Sequence, residues 1–285
     1  MKEQLSHRVN AAKDVLYARV AQITQSAPHI MRSADLSFVR RGRHTPTVPK
    51  ARISNNTVPP PHSAMTPAEA VAIAACLSVP RLATYMTACN PVQGEDATVA
   101  ALRLYRWNIE ISAALMVPIH LCEVAIRNAV SDALTKVYGP QWPWSPGFAQ
   151  ALPNPHRGYS PRRDLATVAQ AQPTTGKVIP ELKFVFWEKM FTTRHDGRLW
   201  NQYLNSVLPN LDRSKTVAQL RDGIRTDLGE IRILRNRIAH HEPIFTRQLA
   251  NDFARLRRVI EHRSAEMRDW LDTAEAVTRV IAAKP

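Results

Sequence analysis

At 285 residues, 45% of them apolar, the chain is long enough for one large or two small globular cores. Its 38 Lys and Arg against 24 Asp and Glu give a net charge of +14. That excess favours a polyanionic partner, nucleic acid before membrane, although it serves plain solubility equally well. The three cysteines, Cys76, Cys89 and Cys122, have no metal-type spacing and lie in apolar helical stretches. They read as buried thiols of a reducing cytoplasm. No apolar run approaches the length of a membrane span, and the N-terminus lacks the uninterrupted apolar core of a signal peptide. The expectation is a soluble, cytoplasmic protein.

Residues 1–62 carry ten Lys and Arg against three Asp and Glu, half the net charge in about a fifth of the chain. One helix is predicted up to about Gln25, through Leu5, Val9, Ala12, Leu16, Val20 and Ile23. The rest, with its Arg40-Arg-Gly-Arg43 cluster and Val58-Pro-Pro-Pro61, cannot bury a core and is expected to be disordered. It reads either as a basic arm that tracks phosphates or as a tail without a role. The folded domain is therefore placed at 63–285.

That domain opens at Thr66-Pro-Ala-Glu69, a capping box, with a short helix to Leu77 and another over Leu82 to Cys89. Asp96 to Tyr138 is the longest periodic segment, apolar at Leu102, Tyr105, Ile109, Leu115, Ile119, Cys122, Ile126, Val130 and Leu134. Pro118 should kink or divide it. Glu123 and Arg127 stand four apart within it, with Asn128 adjacent, either as a solvated ion pair or as a buried network. Gly139 to Gly176, rich in Pro, predicts a long irregular insertion with one short helix at Arg163–Gln170. Its Trp142, Trp144, His156, Arg157, Tyr159, Arg162 and Arg163 could stack on and neutralise single-stranded RNA, or pin the loop to the core. Lys177 to Phe191 and Leu199 to Leu208 are predicted helices. Thr216-Val-Ala-Gln219 is a second capping box. Two helices should finish the chain after Phe245. With no alternating strand pattern, no Gly-rich phosphate loop, no HExxH and no CxxC, the fold class is all-α, a helical bundle.

The most informative stretch is Ile231-Arg-Ile-Leu-Arg-Asn-Arg-Ile-Ala-His-His-Glu-Pro-Ile-Phe245. The helix entering it, from about Val217, places Leu220, Ile224, Leu228, Ile231, Leu234 and Ile238 in one arc. Arg235 falls inside that arc, where a guanidinium needs a partner or a cleft. Asn236 and His240, four apart, share another face, so the amide could orient the imidazole. Pro243 disfavours helix at Glu242 and is expected to end the element. Helix geometry does not choose between His240 and His241.

Arg235-Asn236-x-x-x-His240 resembles the signature of the HEPN superfamily, and the longer string resembles its Abi-like (abortive infection) family of bacterial phage-defence proteins. Further blocks look similar: Leu77 to Tyr85, Leu104 to Leu115, Glu123-Val-Ala-Ile-Arg-Asn128, and Ile179 to Trp187 with Leu199-Trp200. At position 185 Val stands where the resemblance leads one to expect a smaller residue. The resemblance implies a HEPN-like bundle and an endoribonuclease without a metal or other cofactor. In it the ribose 2′-hydroxyl attacks the adjacent phosphate. His240 would be the acid or base and Arg235 the phosphate clamp, with Asn236 fixing the ring tautomer. Glu123, Arg127, Asn128 and His241 would support them. Arg157, Arg162 and Arg163 are weaker candidates for RNA contact. A homodimer with a composite site, RNA as substrate and an antitoxin protein or RNA are the implied partners. The alternative is a catalytically silent protein of the same fold that binds RNA or a partner.

Overall fold

The computed structural model describes residues 65–285, so the basic segment 1–62 and the readings made of it lie outside the described residues. The structure is all-α: twelve helices and no strand among the described residues. It forms two compact units, one reaching Arg106 and the other Trp107–Lys284. The division falls inside a continuous helix.

The first unit holds α1 (Pro67–Leu77), α2 (Val79–Ala88) and the start of α3 (Ala97–Tyr138). Thr66 caps α1 as predicted, its hydroxyl accepting from Glu69 N–H while Glu69 accepts from Thr66 N–H. Such a box is worth about 1 kcal/mol. Tyr85 stands edge-on to Tyr105 at 4.8 Å, and Arg103 ties Glu95 and the Asn90 carbonyl across the α2–α3 loop. The cysteine expectation holds only for Cys122. Cys76 is exposed, because α1 is apolar on most sides and buries only Ala70, Val71 and Ala74, and Cys89, at the C-cap of α2, is intermediate.

In the second unit α3 continues through Pro118 as one helix rather than dividing. Proline costs a helix interior about 3 kcal/mol; here the flanking Leu115, Ile119 and Cys122 are fully buried and hold both halves in place. Ile109, expected in the core, is 53% exposed. The helix also amends one expectation: its most apolar 18-residue stretch, of mean hydropathy 1.7, is long enough to cross a membrane by length and composition.

The predicted irregular insertion is mostly helical. It contains a 3-10 turn at Trp142–Trp144, α4 (Pro146–Ala151) and α5 (Pro161–Ala171). Two of its prolines begin helices instead of breaking them: Pro146 and Pro161 follow the N-caps Ser145 and Ser160, where a missing N–H costs nothing. The expected helix over Lys177 to Phe191 is two, α6 (Thr175–Glu181) and α7 (Phe184–Met190), since Leu182 and Lys183 are extended. After a π-turn at Asp196–Trp200 come α8 (Asn201–Val207), α9 (Val217–Ala239), α10 (Leu249–Arg263), α11 (Ala265–Ala274) and α12 (Val277–Ala282). The last three replace the two expected, because Ser264 caps a new helix and Glu275 is extended.

Aromatic rings knit this unit. Trp142 meets Phe148 at 5.5 Å and Trp187 at 6.3 Å, and Phe191 stacks on Trp200 at 4.5 Å. Burying rings of this size is among the largest favourable terms a core can collect. Trp142 Nε1 donates to Ser131 Oγ and Trp200 Nε1 to the Met190 carbonyl, so these two indoles are satisfied as well as buried.

Candidate functional site

The site is built on α9. Thr216 caps it through the predicted box with Gln219. All six positions of the predicted apolar arc, Leu220 to Ile238, are buried. The helix packs on α7 and α10. Charged residues on it are met by carboxylates or guanidiniums from its neighbours. Arg232 is paired with the buried Glu188 of α7. Asp227, also buried, takes both ends of Arg258 at 2.7 and 2.9 Å. Arg221, 5% exposed, is held by Asp196 at 3.0 Å.

Arg235 follows the same rule. Its Nε lies 3.3 Å from Oε1 of Glu123 on α3. The other oxygen of Glu123 accepts from Arg127 Nη2 at 2.6 Å. One carboxylate, only 12% exposed, thus joins two guanidiniums across two helices. Arg235 remains 42% exposed at its side chain, held at the stem and open at its tip. The Glu123–Arg127 pair is accordingly the part-buried network and not the solvated one. Asn128, next to Arg127, is exposed and takes no hydrogen bond in it.

The helix does not end as the sequence suggested. It stops at Ala239, and the reversal is made by the histidines, two residues before Pro243. His240 is the C-cap. His241 adopts φ 56°, the left-handed conformation that usually calls for glycine. His241 N–H donates to the Ile238 carbonyl at 3.0 Å and Glu242 N–H to the Arg237 carbonyl at 2.8 Å. These two bonds make a Schellman motif, which satisfies carbonyls left free by the end of the helix. The chain leaving the cap is then pinned. Asn108 Oδ1, buried, accepts from Ile244 N–H at 2.8 Å, and Lys284 donates to the Phe245 carbonyl at 2.9 Å.

Both imidazoles are exposed. His240 follows Arg235 by about 7.5 Å of helical rise. Asn236 does not orient it through its side chain: the contact between them is the backbone bond from His240 N–H to the Asn236 carbonyl at 2.9 Å. The cap sets this geometry, since a residue that has left helical φ and ψ no longer shares a face with its i−4 neighbour. Among the described residues no group of three or more His, Cys, Asp or Glu could hold a metal ion.

The insertion's candidates separate. Trp142 is buried, and Trp144 Nε1 donates to the Ala169 carbonyl. Arg162 spends its guanidinium on the Leu152 and Gln150 carbonyls, with bonds of 2.7 to 3.2 Å, so it staples α5 to α4 rather than facing a ligand. His156, Arg157 and Arg163 are exposed. Sequence reasoning missed Glu188, a polar residue buried inside an apolar segment. It also missed a cluster in the turn Arg194-His-Asp-Gly-Arg198, whose signal was three basic groups in five residues. No family model, curated protein or solved structure matches this chain.

Proposed function

We propose that the chain is an endoribonuclease of the HEPN type acting in phage defence, with Arg235 and His240 at its centre. One observation carries this reading: Arg235 is ion-paired with Glu123 of a neighbouring helix at 3.3 Å, yet nearly half exposed, beside a helix end that presents two imidazoles. A guanidinium that pairs with a carboxylate on its Nε side keeps its two terminal NH2 groups for a phosphate. Negative charge building on that phosphate during attack by the 2′-hydroxyl would be stabilised there without reorganisation. The imidazole of His240 would take the proton from the 2′-oxygen or give one to the departing 5′-oxygen. The products would be a 2′,3′-cyclic phosphate and a 5′-hydroxyl. One acting histidine per chain leaves the second proton transfer to another copy, so the reading includes a homodimer.

The test is incubation of purified protein with total RNA in EDTA, mapping the new ends. Loss of cleavage in His240→Ala and Arg235→Ala, with a milder effect of His241→Ala, supports it. Activity in His240→Ala with none in His241→Ala reverses the assignment, and undiminished activity in both makes the motif structural. A second reading, a silent protein that binds RNA or a partner, is favoured by the side chain of Asn236, which leaves the His240 ring unoriented. RNA bound but uncut in this assay would select it.

A further inference from the structure

A second basic site stands apart from the first. The end of α3, α4 and the 193–199 turn enclose a cavity of about 410 Å³, within the range of small-molecule sites. It is lined by Tyr138 and Phe148, by Leu199, and by Arg194, His195 and Arg198. Glu123 and Leu134, at the cavity's edge, are eleven positions apart on α3, about 16 Å of helical rise.

Three features give the cavity a chemical preference. The lining holds two arginines and no carboxylate. Asp196, the nearest acid in sequence, is turned to Arg221 at 3.0 Å. Arg194 is anchored at one point, Nε donating to the Ala151 carbonyl at 3.0 Å, and Arg198 is exposed. Their terminal NH2 groups have no partner among the described residues. His195 is 7% exposed and its ring makes no hydrogen bond among them. Burial and the Arg194 charge push this imidazole down to about 4, so at neutral pH it is an uncharged donor and acceptor. The wall is aromatic and fixed: Tyr138 leans on Phe148 at 5.1 Å, and Phe148 is locked against Trp142 and Phe186. A cationic mouth with a neutral hydrogen-bonding ring and an aromatic wall matches a planar base carrying a phosphate.

We propose that this cleft binds a 5′-nucleotide, its phosphate between Arg194 and Arg198 and its base against Tyr138, which the buried Phe148 backs. The ligand is either a free mononucleotide or the phosphorylated end of an RNA. The site does not depend on the ribonuclease reading.

Calorimetric titration of the full-length protein with AMP, adenosine and inorganic phosphate tests it. Saturable AMP binding is expected, with adenosine and phosphate each at least roughly tenfold weaker. Arg194→Ala/Arg198→Ala, at two exposed positions, should weaken AMP at least roughly tenfold with an unchanged melting profile. His240→Ala should bind AMP as the parent does. A 5′-phosphorylated hexaribonucleotide that binds more tightly than both AMP and its dephosphorylated form assigns the RNA end; equal or weaker binding than AMP assigns the free nucleotide. No saturable AMP binding up to about 10 mM, unchanged binding in the double variant, or equal loss in His240→Ala overturns the proposal.

Discussion

Two places on this molecule pair arginine with histidine, and they treat charge in opposite ways. At the end of α9, Arg235 and Arg127 share Glu123, and the imidazoles stand in solvent. In the 194–198 cleft two arginines have no carboxylate in the lining and the imidazole is buried. The difference shows what each arrangement stabilises. A guanidinium already paired is held in one geometry at low electrostatic cost, which suits a clamp that must be in place before charge develops. Two exposed guanidiniums beside a buried neutral ring leave a net positive charge that an arriving anion would neutralise. The first has a carboxylate between its guanidiniums; the second has none in its lining.

The sharpest way to break this contrast is Glu123→Ala. It removes the carboxylate that Arg127 and Arg235 share, and for a pair buried on the Glu123 and Arg127 side but 42% exposed at Arg235 the cost should be about 1–3 kcal/mol. Denaturant unfolding should show that loss, and on the proposed ribonuclease reading RNA cleavage should fall with it; a change below about 1 kcal/mol would make Glu123 a surface partner only.

Next in size is the pH response of the cleft. His195 titrates near its ordinary value when unfolded and at about 4 when folded. Between those values the unfolded chain binds more protons, so stability rises with pH there. The contribution is fully present above about 6.5 and is lost as pH falls toward 4, amounting to at most ~3 kcal/mol. His195→Gln should flatten the melting-temperature profile over that window. An unchanged slope would place the acid sensitivity elsewhere.

A smaller effect separates the two histidines of the cap. His241 holds a φ of 56°, so His241→Gly should stabilise the protein by about 1 kcal/mol. The same change at His240, with φ −91°, should not. Thermal melts of the two variants distinguish them. Smallest of all is Arg198→Ala: with no carboxylate left behind, stability should move by no more than about 0.5 kcal/mol, and upward if at all. A clear loss would reveal a partner for Arg198 and remove the contrast between the sites.

Sequence alone determined the elements whose signals are local. Both capping boxes and the buried arc of α9 follow from short-range rules, since a cap is three residues and a helical face repeats every three or four. So does the all-α class. Sequence also marked Arg235 as a cation needing a partner, because it stands in an apolar arc. What tertiary structure decided is where a signal has two meanings or none. A proline before a helix and a proline inside a loop look alike along the chain, so Pro146 and Pro161 read as breakers until Ser145 and Ser160 were seen to cap the helices they open. The left-handed turn at His241 had no glycine to announce it; the Schellman bonds to Arg237 and Ile238 and the Asn108 bond to Ile244 hold it. The choice of Glu123 for Arg235, 112 positions apart in the chain, rests on how α3 and α9 cross, and no periodicity within either helix carries that information. The 194–198 cleft was invisible for the same reason: its walls come from three separated segments, and only packing brings an aromatic face and a basic turn to one cavity.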